Sequence, residues 1–114
     1  MKEFMFLFRF GTNQKKASSE EFQKEAMKWQ EWTSALMKEG RLTPGLRLSS
    51  NAKVIKTKDK RVQDGPFAEG KEVVGSYCTV KARDLDEAVE MAKKCPIMDH
   101  EDASVEVREI VVYK

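Results

Sequence analysis

The chain has 114 residues, with 21 lysines and arginines against 19 aspartates and glutamates and a formal charge of +2. That length makes one domain over residues 1–114, with a core hiding about two-thirds of the unfolded surface, and so even a charge argues against a nucleic-acid binder, which carries a strongly basic face. Two cysteines, Cys78 and Cys95, make no disulfide framework, and the apolar run Phe4–Phe8 is too short for a membrane span and lacks signal-peptide flanks, so the expectation is a soluble cytoplasmic protein.

Lys2–Phe10 reads as the first strand, with Phe4, Phe6, Phe8 and Phe10 on one face and Met5 and Leu7 on the other. A strand apolar on both sides belongs in the middle of a sheet with both faces covered. Thr12–Lys16 is a polar loop. Ser18 and Glu21 have capping-box spacing, and Phe22, Ala26, Trp29, Thr33 and Leu36 recur at helical intervals up to Gly40. The spacing predicts one long amphipathic helix over Ser19–Glu39. Leu42–Leu48, broken by Pro44 and Gly45, reads as an irregular lead-in to a second strand over Ala52–Thr57. Lys58–Lys60 turns the chain, and Arg61–Gln63 runs back as a short, polar, peripheral hairpin.

At Asp64-Gly65-Pro66-Phe67-Ala68-Glu69-Gly70-Lys71-Glu72 the chain carries its most particular chemistry. Asp-Gly is a turn signal, and Pro66 fixes its own φ while pushing Gly65 out of the α region. Phe67 anchors the corner, and an extended acidic–basic run follows it. Val73–Lys81 is the third main strand, where Gly75 marks a bulge or a close backbone approach. Asp84 with Glu87 caps a second helix whose Leu85, Ala88, Val89 and Ala92 face inward, ended by Pro96. An acid-rich loop then leads to a last strand over Ser104–Tyr113. The order, βα, hairpin, βαβ, implies an α+β fold of the ferredoxin-like, split βαβ kind, with both helices on one face. The apolar second face of the first strand needs a cover, which a second copy about a two-fold axis would supply.

The nine residues from Asp64 to Glu72, together with Gly75-Ser76-Tyr77, Asp84-Leu85-Asp86-Glu87-Ala88, Cys95-Pro96 and Val105-Glu106-Val107-Arg108, resemble the DGPF-domain proteins of the YCII-related family in order and spacing over essentially the whole chain. The resemblance implies a ferredoxin-like protomer forming a dimeric α/β barrel. Two departures stand out. The family's usual threonine is Gly70 here, removing a hydroxyl and loosening the loop, and its Gly-Gly-aromatic run is Gly75-Ser76-Tyr77. The His–Asp pair that some relatives place nearer the N-terminus cannot be carried over, because residues 12–16 and the first helix contain no histidine.

Asp64 and His100 are the candidates for catalysis, and Arg9, Phe67, Glu69, Lys71 and Tyr77 for holding a substrate. In an extended run Glu69 and Lys71 share one side and Glu72 takes the other; an acid and a lysine on one side can bind a polar ligand or shift each other's pKa. Against this, Asp64 can cap its own turn, and Lys71 with Glu72 can be a surface pair. Tyr77 is either a core aromatic or a phenol offered to a cavity between subunits. His100, the one histidine, is the natural base near neutral pH; its setting, Asp99-His100-Glu101-Asp102, equally describes a solvated loop. Four adjacent residues make a poor metal site, and no cofactor motif, P-loop or metal-ligand spacing occurs, so neither a metal nor a cofactor is expected. Cys95 reads as structural and Cys78 as a small buried hydrophobe. Arg9 and Arg108, on the first and last strands, would line one cavity and draw an anionic ligand. The expected function is a small enzyme acting on an organic molecule in a cavity between paired sheets of a homodimer. The alternative is a non-catalytic ligand-binding or transcription-linked regulatory protein.

Overall fold

The computed structural model of the chain describes residues 1–11 and 18–113; the polar loop expected over residues 12–16 lies outside them. Within them run β1 (Lys2–Gly11), α1 (Ser19–Lys38), β2 (Leu42–Arg47), β3 (Lys53–Ile55), β4 (Val62–Asp64), β5 (Ala68–Glu69), β6 (Glu72–Ala82), α2 (Leu85–Lys93) and β7 (Ala103–Glu109). The fold is α+β. The main sheet has the order β2-β6-β1-β7, each neighbouring pair antiparallel. β1 and β2 are therefore parallel with β6 between them, and β6 and β7 are parallel with β1 between them. Each helix lies in a crossover that skips one strand.

Strand alternation decides where the core lies. Phe4 and Phe6 are fully buried and Phe8 nearly so, packed with Cys78, Val80 and Ala82 of β6 and with Ala88, Met91 and Ala92 of α2. α1 covers the same face, Trp29 meeting the Phe8 ring edge-on at 5.2 Å and Trp32 stacking near Phe6 at 6.4 Å. The caps are those expected. The Ser18 hydroxyl accepts from the Glu21 amide at 3.1 Å, the Asp84 carboxylate accepts from the Glu87 amide at 2.8 Å, and Gly40 stops α1 at φ +69°. The apolar stripe of α1 is used over only half its length: Trp29, Trp32 and Leu36 pack on the core, whereas Phe22 and Ala26 are exposed.

Several expectations are corrected. Leu42–Leu48 is not an irregular lead-in; it supplies β2, the fourth strand of the main sheet. An edge strand tolerates Pro44, whose missing N–H leaves no ladder bond unmade. Gly45 lies so close to Tyr77 that a Cβ would collide with the Tyr77 carbonyl oxygen. The strand expected over Ala52–Thr57 shortens to β3, which pairs with β4 in a two-stranded ribbon outside the main sheet, the short peripheral hairpin expected there. Leu85, expected inside, is exposed, and Met91 takes its place in the inward stripe. Part of the acid-rich loop is a 3-10 turn, Pro96–Asp99, that buries Pro96 and Ile97. The last strand stops at Glu109, leaving Val111, Val112 and Tyr113 exposed.

The run after Phe67 does not stay extended. Ala68 pairs with Val73 and Glu69 with Glu72, so Gly70 and Lys71 form a two-residue hairpin turn. Gly70, at φ +61°, occupies the place a type II′ turn reserves for glycine; it is the turn former, not slack in a loop. Further along, Phe8 pairs with Ser76 but Arg9 with Val74, leaving Gly75 as one extra residue in β6. A Cβ on Gly75 would lie 3.0 Å from the Phe10 ring, so the bulge and the close approach coincide.

Both helices lie on the Phe4–Phe8 face, so the opposite face is helix-free. It presents Met5, Leu7 and Arg9 of β1 beside Val74, Tyr77 and Thr79 of β6 and Ser104, Glu106 and Arg108 of β7. The molecule is correspondingly a slab, 47 × 46 × 20 Å, with a radius of gyration of 15.8 Å; a compact domain of this length has about 13 Å.

Candidate functional site

Two groups of polar side chains are built by the fold, one on each face of the sheet. On the helix-free face, an Arg9 guanidinium nitrogen donates to Glu106 Oε1 at 2.9 Å, and the Arg9 side chain is only 18 % exposed. Strand pairing sets this contact: Glu106 stands opposite Leu7, one diagonal step from Arg9. Ser104, directly opposite Arg9, donates its hydroxyl to Glu72. Tyr77 lies across from Leu7 on β6, and Arg108 across from Met5 on β7. The result is an apolar patch ringed by two arginines, two carboxylates, a hydroxyl and a phenol, a surface able to orient a small polar or anionic molecule. Strand register thus puts Arg9, Tyr77 and Arg108 on one face of the sheet.

The second group surrounds His100 on the helix side. Its Nε2 bonds to Glu25 of α1, and its ring meets Phe10 edge-on at 5.8 Å. Glu25 also accepts from the Trp29 indole N–H at 3.4 Å. One residue away, Asp99 pairs with Lys28 at 3.1 Å. His100 is half-buried and held by a carboxylate, which is more than a solvated loop histidine. The pair is a chemically competent proton donor and acceptor at the junction of α1, β1 and the Pro96–Asp99 turn.

The Asp64–Glu72 motif belongs to neither group. Asp64 is 88 % exposed and bonds to Lys53 across the β3–β4 ribbon. Phe67 is exposed beneath the Lys56 ammonium, 5.5 Å from its ring centre. Glu69 and Lys71 are exposed at the β5–β6 turn. Only Glu72, through Ser104, reaches the helix-free face. Among the described residues no hydrogen bond or ion pair joins Asp64 to His100.

Three residues of these groups are absent from the candidates that the sequence supplies. Glu106 and Ser104 follow from pairing the first strand with the last and could have been found that way. Glu25, one helical turn before Trp29, is tied to His100 over 75 residues of chain, and nothing local signals it.

The remaining features are structural. Cys78 and Cys95 are free and buried, and desolvation pushes both thiols up to about 12. Glu87 is lowered from the usual carboxylate value, first by the Arg83 backbone N–H it accepts and then by Arg41, which ties α2 to the start of β2. A cleft of about 170 Å³ lies between α1 and β2, walled by Phe8, Trp29, Trp32, Leu42 and Leu46, and a wider groove of about 550 Å³ lies between α1 and the end of α2. Among the described residues no group of three or more His, Cys, Asp or Glu side chains is placed to hold a metal ion, and no helix is long and apolar enough to cross a membrane.

Among known protein families, the profile of the YCII-related domain matches residues 5–114. No curated protein matches the chain.

Proposed function

The chain belongs to the YCII-related domain family, and from that premise we propose that it is a ferredoxin-like protomer of the DGPF kind, working in the cytoplasm as a homodimer. Two helix-free sheet faces pair into a dimeric α/β barrel, and the chamber between them takes a small organic molecule as the substrate of an enzyme. The observation that carries this reading is the helix-free face itself: Met5 and Leu7 flank an Arg9 that is largely buried already in the single chain and is held by Glu106. A second sheet over this face would desolvate the pair and strengthen every electrostatic contact within it. The Arg9 fork fits a carboxylate in bidentate fashion, so the substrate is a small organic acid that exchanges with Glu106 for the guanidinium. The released Glu106 and the Tyr77 hydroxyl are then the chamber's proton-handling groups. The His100–Glu25 pair, on the other face of the sheet, serves the chamber only from its end.

A second reading has its own support. Asp64 faces solvent and is neutralised by Lys53, the posture of a turn residue, which favours a non-catalytic ligand-binding or transcription-linked protein. Both readings place a ligand at Arg9, and turnover separates them.

The test joins assembly to binding. At micromolar concentration the wild type should sediment as a dimer and Leu7→Lys as a monomer. Small aromatic and aliphatic carboxylates should broaden or shift the Tyr77 resonances in wild type but not in Arg9→Ala of unchanged fold. Product formation from a bound carboxylate selects the enzyme. A wild type that sediments as a monomer removes the chamber and this reading with it.

A further inference from the structure

Among the described residues, the β3–β4 ribbon stands outside the main sheet. It forms a two-stranded sheet of its own, and such a ribbon is at best marginally stable alone in water. Its cross-strand pair Ile55–Val62 faces outward, 65 % and 58 % exposed, and Phe67 just beyond it is 56 % exposed. An apolar pair displayed on an otherwise polar ribbon marks a surface made for another chain.

Charge indicates which chain. From Lys53 to Arg61 the ribbon carries Lys53, Lys56, Lys58, Lys60 and Arg61 against Asp59 alone. Asp64 takes up Lys53, and among the described residues no carboxylate pairs with Lys58, Lys60 or Arg61. The complementary charge is in this same protein: the segment Asp99–Asp102 holds Asp99, Glu101 and Asp102, with Glu101 and Asp102 exposed. Ribbon and acidic segment stand at the same end of the sheet. β2 leads into the ribbon where the Leu48 amide donates to the Gly75 carbonyl at 2.8 Å, and the acidic segment is fixed where the Gly11 amide donates to the Asp102 carbonyl at 2.7 Å. They lie at opposite edges, however, because β6 and β1 separate β2 from β7, a width of about 14 Å at ordinary strand spacing.

We propose that the β3–β4 ribbon of one protomer docks on the Asp99–Asp102 segment of a second copy and closes the mouth of the shared chamber. This rests on the face-to-face pairing above and specifies its geometry. A two-fold axis running along the strands lays the β2 edge of one sheet over the β7 edge of the other and keeps like ends together. Basic ribbon and acidic segment then meet twice in each dimer. An axis across the strands would instead lay β2 over β2 with ends reversed and carry the two apart. With the axis along the strands, the corner from Asp64 to Phe67 approaches the partner's His100. Two candidate residues remote from each other in one chain thus become neighbours in the assembly.

The experiment uses two full-length variants, Lys58→Cys and Glu101→Cys, co-expressed so that mixed dimers form and treated with a short bis-maleimide. Cys78 and Cys95 are buried with thiols pushed up to about 12, so they do not compete. Covalent dimer is expected from the mixture and not from either variant alone. In parallel, a Lys58→Glu, Lys60→Glu, Arg61→Glu variant should raise the dimer dissociation constant about tenfold at low ionic strength, with the difference shrinking as salt is added. A wild type that dimerises while the mixture cross-links no better than its components overturns the docking and leaves the pairing intact. A monomeric wild type overturns both. A dissociation constant unmoved by the charge reversals also overturns the docking.

Discussion

Gly70 and the two cysteines show how much single side chains depend on positions that only folding assigns. A Cβ at Gly70 would meet nothing within 4 Å, so at φ +61° the residue is constrained by its backbone alone. Gly70→Ala should therefore lower stability by about 1–2 kcal/mol through left-handed strain, read as a fall in the urea midpoint, with Gly70→Asn recovering part of the loss. An unchanged midpoint would mean that the turn relaxes to another type. The cysteines bear on pH. Their ordinary value is 9.0 and burial pushes them up to about 12, so above about pH 9 the unfolded chain releases thiol protons that the folded chain keeps. Stability contributed by the neutral thiols is complete below pH 9 and declines as pH rises from 9 toward 12. The melting temperature of wild type should fall through that window, and the fall should be shallower in Cys78→Ala/Cys95→Ala. At this scale the sequence speaks clearly about burial, since Cys78 sits at an apolar strand position and Cys95 precedes a helix-ending proline. It is silent about Glu25, whose bond to His100 depends on where α1 crosses the sheet.

Elements are legible wherever a local rule and the tertiary contact agree. β1, both helix caps and Gly40 follow from alternation and spacing and are found in place. β2 is hidden because Pro44 and Gly45 contradict strand propensity, and only the edge position of β2 makes them acceptable; no local pattern marks an edge. The spacing in α1 implies a uniform apolar stripe, yet its first turns do not use it. A matched pair of truncations measures this. Phe6→Ala, which empties a fully buried site, should cost about 3–5 kcal/mol. Phe22→Ala, at 57 % exposure, should stay within about 0.5 kcal/mol, although the sequence alone ranks the two alike. Equal losses in chemical denaturation would show that Phe22 packs in solution.

For the whole molecule, the thickness of 20 Å is that of one sheet and one layer of helices. The apolar second face of β1 is readable from alternation, and it motivates the proposed pairing. The motif from Asp64 to Glu72 reads in the sequence as the centre of the site, but in the single chain it lies on the ribbon and at the β5–β6 turn. The reason is topological: those residues follow β2 out of one edge of the sheet, and nothing within the motif encodes which edge that is.

The extra residue at Gly75 has a last consequence for heredity. Beyond it, Val74 and Glu72 share a side with Tyr77 and Thr79, a phase that uninterrupted alternation would reverse. An in-frame loss of that one codon would restore one-to-one pairing and leave Glu72 on the Ser104 side, whereas pairing every residue in turn with the glycine kept would swing Glu72 under the helices. The side that Glu72 takes is therefore set by how the chain passes the glycine, and not by the length of the strand alone.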